Sequence, residues 1–504
     1  MIGRILNITP YYLIVQSCRW CCSRSIRSIN TTKRAATRLS EVIVRILGIV
    51  GLLVVICFSA ASAKAETFYA HLNGAQEVPG VATTGTGYAR VVVNEAALTY
   101  SFTVVFNGLS SNQTASHIHA PAAIGATAGV AINFGAVGGT SGTITGSGSI
   151  TATQISQLRA HLGYVNVHTS NFAAGEIRGQ LGIRRPVDND GDGRTDLSVL
   201  RFPNVAPPGN ATITYWSRNS TSGIQTGVFG DANTDFPVPG DYDNDGRDDL
   251  AVYRAGASAG LQSNFWIYRG SDNVVQQIPF GLNGDQAICR DYDGDGITDL
   301  AIFRKGAAAT DATNWWIRRS TIGLTVTGQD QVFAFGQTGN GTTTFDSAIP
   351  GDYDGDGKFD IAVYRFGLTP ANTFIIRRSS DSTITYQGFG NFNTDYVLPG
   401  DYDGDGKYDL AVARTGGTST SPLVWWILQS SNGATRTQTF GFSGDLPVQG
   451  DYDGDARTDL AVYRPGATAS AQSNYWVFNS FNSTATVTPW GIGSDFSVNT
   501  YDSR

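Results

Sequence analysis

One acidic pattern, Asp-x-Asp-x-Asp-Gly-x-x-Asp with alanine for glycine in the last copy, occurs six times, each time followed at once by a short apolar strand. The copies begin at Asp188, Asp241, Asp291, Asp352, Asp401 and Asp451, and successive starts lie 53, 50, 61, 49 and 50 residues apart. A period of this length means that one supersecondary unit is repeated and stacked. Each unit carries four strand-like segments. After the acidic loop comes a strand such as LAVYR, then an aromatic strand such as FWIYRG or WWIRRS, then a strand ending in Phe-Gly or Trp-Gly, and last a lead-in such as DFPVPGDYD. Four short strands per unit at this spacing are the mark of β-propeller blades. The near-continuous apolar strands fit small sheets packed on both faces. Six loops imply six blades, or seven if one blade lacks a loop. The tail GSDFSVNTYDSR repeats the lead-in and stops where carboxylates should begin. It is expected to pair into the first blade, closing the ring and removing exposed sheet edges.

The loop chemistry points to calcium, which takes six to eight hard oxygen ligands at about 2.3–2.6 Å. Carboxylates at positions 1, 3, 5 and 9 of a tight loop converge, and a carbonyl at position 7 adds a further oxygen. The candidate ligands are Asp188, Asp190, Asp192 and Asp196; Asp241, Asp243, Asp245 and Asp249; Asp291, Asp293, Asp295 and Asp299; Asp352, Asp354, Asp356 and Asp360; Asp401, Asp403, Asp405 and Asp409; and Asp451, Asp453, Asp455 and Asp459. An EF-hand needs a glutamate at position 12 on a helix, whereas the fifth loop has Val412 there, on a strand. A hairpin loop joining the first two strands of a blade is expected instead. A single copy would read equally well as a solvated acidic turn; six at blade spacing favour about six calcium sites. Magnesium fits less well, because it demands a compact octahedron and keeps its waters. Ala456, at the turn position, predicts strain in the last loop. The first loop has Asn189 where the others have tyrosine.

Residues 184–504 resemble FG-GAP or VCBS repeats, the blade type of the integrin α-subunit propeller. The resemblance rests on Phe229-Gly230, Phe280-Gly281, Phe335-Gly336, Phe389-Gly390 and Phe440-Gly441, each leading through one further strand into an acidic loop. The pairs Trp315-Trp316 and Trp425-Trp426 recur at the blade position of Phe265-Trp266 and Tyr475-Trp476, so they are read as packing between blades rather than as sugar platforms.

Residues 66–183 have another grammar: alternating strands, glycine turns, and all five histidines of the chain. An all-β sandwich or small barrel is expected. One short helix is expected over 151–162, with Thr153 as its cap. The landmarks LNGAQEVP (72–79), ASHIHAPAAIG (115–125) and YVNVHTSNFAAGEIRGQL (164–181) resemble the CHRD domain family, which implies a fold and no defined activity. His117 and His119 share one face of a strand. Such a pair binds copper or zinc if His161 or His168 completes the site, but two ligands from one strand do not make a site. The reading taken is therefore structural, with copper or zinc not expected. No Ser-His-Asp constellation is visible.

Residues 1–65 hold nine Lys or Arg against one acidic residue, and four of the five cysteines. The apolar run 46–58 precedes SAASAKA, where Ala61-Ser62-Ala63 and Ala63-Lys64-Ala65 fit a small-residue cleavage rule. Thirteen apolar residues suit a signal core better than a bilayer span of about 20. An exported, secreted or cell-surface protein follows, with membrane attachment only if the segment stays uncleaved. The basic lead-in is long, and a start at Val42 or Val44 is the alternative. Removing the segment leaves 26 basic against 41 acidic residues, a net charge of −15. Nucleic acid is excluded as a partner, since phosphate binding needs basic stripes. The remaining Cys289 has no disulfide partner in the chain.

The leading reading is a calcium-stabilised binding or adhesion module for a glycan or protein surface, with 336–352 and 414–423 as candidate ligand loops. The alternatives are an enzyme, either a glycan-active propeller or a copper or zinc centre at the N-terminal histidines, and a structural envelope or matrix protein. The histidine-free propeller lacks the commonest general base.

Overall fold

The computed structural model describes residues 65–498, apart from 124, 160, 183–186, 204–210, 221, 244, 295, 341–343, 368–371 and 392–393. The expected export segment therefore lies outside the described residues, Ala65 excepted. Among those described, no helix is long and apolar enough to cross a membrane.

The N-terminal part is one antiparallel sheet of eight strands: β1 (Ala65–Asn73), β2 (Thr86–Asn94), β3 (Thr99–Asn107), β4 (Gln113–His119), β5 (Val130–Asn133), β6 (Gly142–Ser149), β7 (Tyr164–Thr169) and β8 (Ile177–Gln180). In space they run β5-β4-β7-β8-β1-β2-β3-β6, curled into a half-barrel. Alternation drives the curl. On β2 and β3, Ala89, Val91, Val93, Phe102, Val104 and Phe106 face one shared core while their neighbours are more exposed. Helix α1 (Ala152–Arg159) adds Ile155 and Leu158 to that core. Its N-terminus differs from expectation. The amide of Gln154 donates to Thr151 Oγ1 and the amide of Thr151 donates to Gln154 Oε1, so Thr151 is the cap and Thr153 lies inside the helix. A glutamine three residues on completes a capping box, which a threonine cap at 153 would have lacked.

The rest is a ring of six four-stranded sheets among the described residues. In the second blade the strands run from the innermost, Asp235–Pro237, through Leu250–Arg254 and Gln262–Tyr268 to the outermost, Val275–Leu282. The first blade takes its innermost strand from the chain end: Phe496–Ser497 pairs with Leu200 and Val199. The tail closes the ring, and the count is six. Trp315 and Trp425 are fully buried between sheets, whereas Trp316 and Trp426 are half-buried beneath Arg304 and Arg414.

The recurrent glycine of the Phe-Gly pairs has a steric reason. Gly230, at φ +90°, would place a Cβ 2.8 Å from Val252 of the next blade, and Gly441, at φ +85°, one 3.0 Å from Val462. The outer strand turns inward here through a backbone shape that favours glycine.

Candidate metal sites and the inter-blade pairs

Five of the six acidic loops join the innermost strand of a blade to the next strand, and the first precedes Leu197–Arg201. They form a closed circuit. The position-8 amide of each loop donates to the position-1 carbonyl of the loop before it: Asp248 to Asp188, Thr298 to Asp241, Phe359 to Asp291, Tyr408 to Asp352, Thr458 to Asp401 and Thr195 to Asp451, at 2.6–2.9 Å.

Within a loop the carboxylates are held by backbone donors. Asp401 Oδ1 accepts from the amide of Gly404 at 2.6 Å, and its Oδ2 from that of Gly406 at 3.1 Å. Asp409 Oδ2 accepts from the amide of Tyr402 and Oδ1 from that of Ser430, clipping the loop to the turn after the third strand. Ser431 donates to Asp403 and Ser430 to Asp405. The tyrosine at position 2 anchors the loop by donating to a carbonyl four residues back, as Tyr402 does to Leu398 at 2.8 Å. In the first loop Asn189 substitutes, donating to Ser198 and Ser217.

In each of four loops three of the expected ligands converge. Donor atoms within 4.8 Å of one another come from Asp188, Asp190 and Asp196; from Asp241, Asp243 and Asp245; from Asp291, Asp293 and Asp299; and from Asp352, Asp354 and Asp356. Burial, followed by the charges of Asp403 and Asp401, raises the pKa of Asp405 in the fifth loop, and burial with Asp453, Asp451 and Asp455 raises that of Asp459 in the sixth. Asp192 accepts from the hydroxyl of Ser220 beside its loop. Asp295 lies outside the described residues. Burial, reinforced by neighbouring carboxylates, pushes the carboxyls of Asp249, Asp360 and Asp409 up to about 7, and those of Asp196 and Asp453 up to about 8. Asp293 Oδ1 and Asp403 Oδ1 are buried without a hydrogen-bond donor. Orphaned carboxylate oxygens inside a ring of like charge fit a dication with hard-oxygen preference.

The half-barrel sits on this acidic end. His161 Nδ1 lies 3.2 Å from Asp401 Oδ2, both side chains buried. Gln76 Nε2 donates to Gly454 O at 3.1 Å, and Tyr69 and Arg90 pack against Gly246. Gly296 meets Thr67, where a Cβ would fall 2.6 Å from Oγ1. Thr67 also reaches the central cavity, of about 1680 Å³. At the opposite end, where the innermost strands begin, that cavity is lined by Phe236, Tyr396, Leu446 and Phe496. Phe236 is 63% exposed and Phe496 58%. The candidate ligand loop 414–423 links second and third strands and so emerges at this same end, as does the link between blades at 337–345, of which 341–343 lie outside the described residues.

A second set of aspartates escaped the sequence reading. Each blade buries one at its innermost strand, paired with an arginine of the next strand: Asp235–Arg254, Asp285–Arg304, Asp346–Arg365, Asp395–Arg414 and Asp445–Arg464, at 2.6–2.8 Å. The same carboxylate accepts an amide from the preceding blade, as Asp285 does from Leu282 and Asp445 from Phe442. Each arginine but Arg365 also lies over a tryptophan of its own blade, for example Arg254 over Trp266 at 5.3 Å. These groups tie blade to blade. A signal was available: each such aspartate stands six residues before an acidic loop and 19 before its arginine.

Of the four singled-out histidines, three come together on the half-barrel. Donor atoms of His117, His119 and His168 lie within 4.8 Å of one another. His161 is not in that cluster; it faces Asp401 instead.

Comparison with known proteins bears on the two parts unequally. Residues 68–181 match the CHRD domain family, so this chain carries a CHRD domain there. No curated protein matches the chain. Among solved structures, a triple arginine-to-alanine mutant of AofleA from Arthrobotrys oligospora is 11% identical with a TM-score of 0.39, covering 63% of this chain and 96% of its own. An acylaminoacyl peptidase from Pyrococcus horikoshii is 10% identical with a TM-score of 0.29, covering 77% of this chain and 57% of its own.

Proposed function

We propose that the protein is an exported, calcium-binding β-propeller of FG-GAP or VCBS type that acts as an extracellular or cell-surface binding module, with its CHRD domain docked on the calcium end. The observation that carries the metal reading is the orphaned, buried Oδ1 of Asp293 and of Asp403, each inside a cluster of carboxylates. In such a site the position 1, 3, 5 and 9 carboxylates would hold the ion, whose charge offsets their mutual repulsion. The role is structural: the ion clips a hairpin, and the hydrogen-bonded circuit carries that order from loop to loop.

With the acidic end covered, ligand binding is assigned to the open mouth. Exposed rings at Phe236 and Phe496, with Tyr396 and Leu446, suit the apolar faces of a glycan or of protein side chains. Elemental analysis of the purified protein is expected to give one calcium per loop; a calcium-free protein whose melting is unchanged by EDTA would overturn the metal reading. Phe236→Ala with Phe496→Ala should abolish retention on a glycan array or on cells while leaving the melting temperature intact. Undiminished retention would remove the ligand site from this mouth.

A further inference from the structure

The inward faces of β4 and β7 supply Ile118, Val165 and Val167 to the core. Their other face carries His117, His119, Tyr164, Asn166 and His168, and it is largely buried as well. Cross-strand register puts His119 opposite Tyr164 and His117 opposite Asn166, so His168, two residues further on, lies diagonal to His117. Diagonal neighbours are within reach of long or ringed side chains.

Backbone carbonyls set two of the three tautomers. His119 Nδ1 is 2.9 Å from Ala128 O and His168 Nδ1 is 3.0 Å from Ala173 O. A carbonyl only accepts, so both rings carry their proton on Nδ1 and present a bare Nε2. His168 Nε2 faces His117 Nδ1 at 3.1 Å. His119 Nε2 is buried with no hydrogen-bond partner, on a side chain more than nine-tenths buried. Its ring is fixed further by stacking on Tyr164, centroids 4.9 Å apart and 4° from parallel.

We infer that His117, His119 and His168 form a three-imidazole site for a divalent copper or zinc ion. Ligands at about 2.0–2.1 Å in a tetrahedron stand roughly 3.3 Å apart, close to the observed separation of His117 and His168. Nδ1 protons held by backbone carbonyls are the outer-shell arrangement that orients metal-binding imidazoles. The ion takes the place of the hydrogen bond between His117 and His168, His117 carrying its proton on Nε2 instead. Three protein nitrogens leave one coordination position, on the side of the half-buried His117, for water or an exogenous ligand. Two histidines of one strand did not make a site; His168, brought in from another strand, does. The calcium reading plays no part in this inference.

The test uses the whole exported chain, stripped with EDTA and returned to excess calcium so that hard-oxygen sites do not compete. Titration with Cu(II), and separately with Zn(II), should show one equivalent bound with the higher affinity for copper. The Cu(II) form should give an electron paramagnetic resonance spectrum with superhyperfine coupling to three imidazole nitrogens. His119→Gln and His168→Gln are each expected to weaken binding roughly 100-fold, and the more exposed His117→Gln serves if either buried variant fails to fold. His161→Gln should bind as the parent does. Less than one equivalent on the parent chain, a copper spectrum without imidazole coupling, or unaltered binding in folded variants of the triad would overturn the assignment.

Discussion

Arg201 and Asp495 stand 294 residues apart and form a two-point ion pair, Nε to Oδ1 at 2.7 Å and the terminal nitrogen to Oδ2 at 2.8 Å. It is the sixth member of the set of inter-blade pairs, and the one that joins the two ends of the ring. Asp495 is fully buried and also accepts the amide of Ile492, while Arg201 is 34% exposed and lies over Trp216. Asp495→Ala strands an arginine and a backbone amide at the closure. Breaking a buried pair costs several kcal/mol, less where one partner is solvated, so a loss of about 2–4 kcal/mol is expected. Urea unfolding measures it. The double variant Arg201→Ala, Asp495→Ala should lose less than the two single losses combined.

The acidic loops give the metal-free propeller an unusual pH dependence. Asp249, Asp360 and Asp409 titrate near 7 in the fold because burial disfavours their charge, against about 3.9 in an unfolded chain. Between those values the folded state holds more protons than the unfolded one, so stability falls as pH rises. Chelated protein should therefore melt at a higher temperature at pH 5 than at pH 8. On the proposed calcium reading the ion would bind the ionised form, so its stabilisation should grow with pH over the same window. A chelated protein that melts higher at pH 8 contradicts the repulsion argument.

Ala456 sits at φ +68° where the other loops have glycine, for example Gly406 at +85°. A side chain in that region costs about 1–2 kcal/mol, partly offset by the greater chain entropy that glycine loses on folding. Ala456→Gly is expected to stabilise by about 0.5–1 kcal/mol and, on the proposed calcium reading, to tighten binding at the sixth loop. Denaturation midpoints with and without calcium read both effects.

Repetition made the propeller legible. Six copies of one loop implied six blades, or seven if one lacked a loop, and the tail around Phe496 was readable as a closing strand because it copied a segment seen five times before. Asp235 and its counterparts were equally repeated, yet they stand in the lead-in strand beside loops so rich in aspartate that they draw no separate notice, and their arginine partners stand 19 residues away. The histidine cluster was readable only in part: the strand pattern pairs His117 with His119, but nothing in it chooses between His161 and His168 as the third member. His168 joins His117 only through the register of two strands separated by 44 residues of other structure, and no single-sequence pattern encodes such a register. Nor does any local signal announce that His161 would face the fifth acidic loop of the propeller.

That crossing carries the last prediction. His161 and Asp401 are 1% and 2% exposed, at the junction of the half-barrel with the fifth acidic loop. Asp401 is at once a candidate metal ligand and the acceptor of the loop's own amides, so docking and loop order share one carboxylate. His161→Ala removes a buried ring from the junction and leaves a cavity, at a cost of about 2–3 kcal/mol. It should separate the unfolding of the half-barrel from that of the propeller in calorimetry and speed amide exchange in residues 401–409. Calcium removal should speed the same amides, because an unneutralised loop presents a repelling surface to its neighbour's contacts. A single unshifted transition in His161→Ala would show that the junction is held by Thr67, Gln76 and Tyr69 without it.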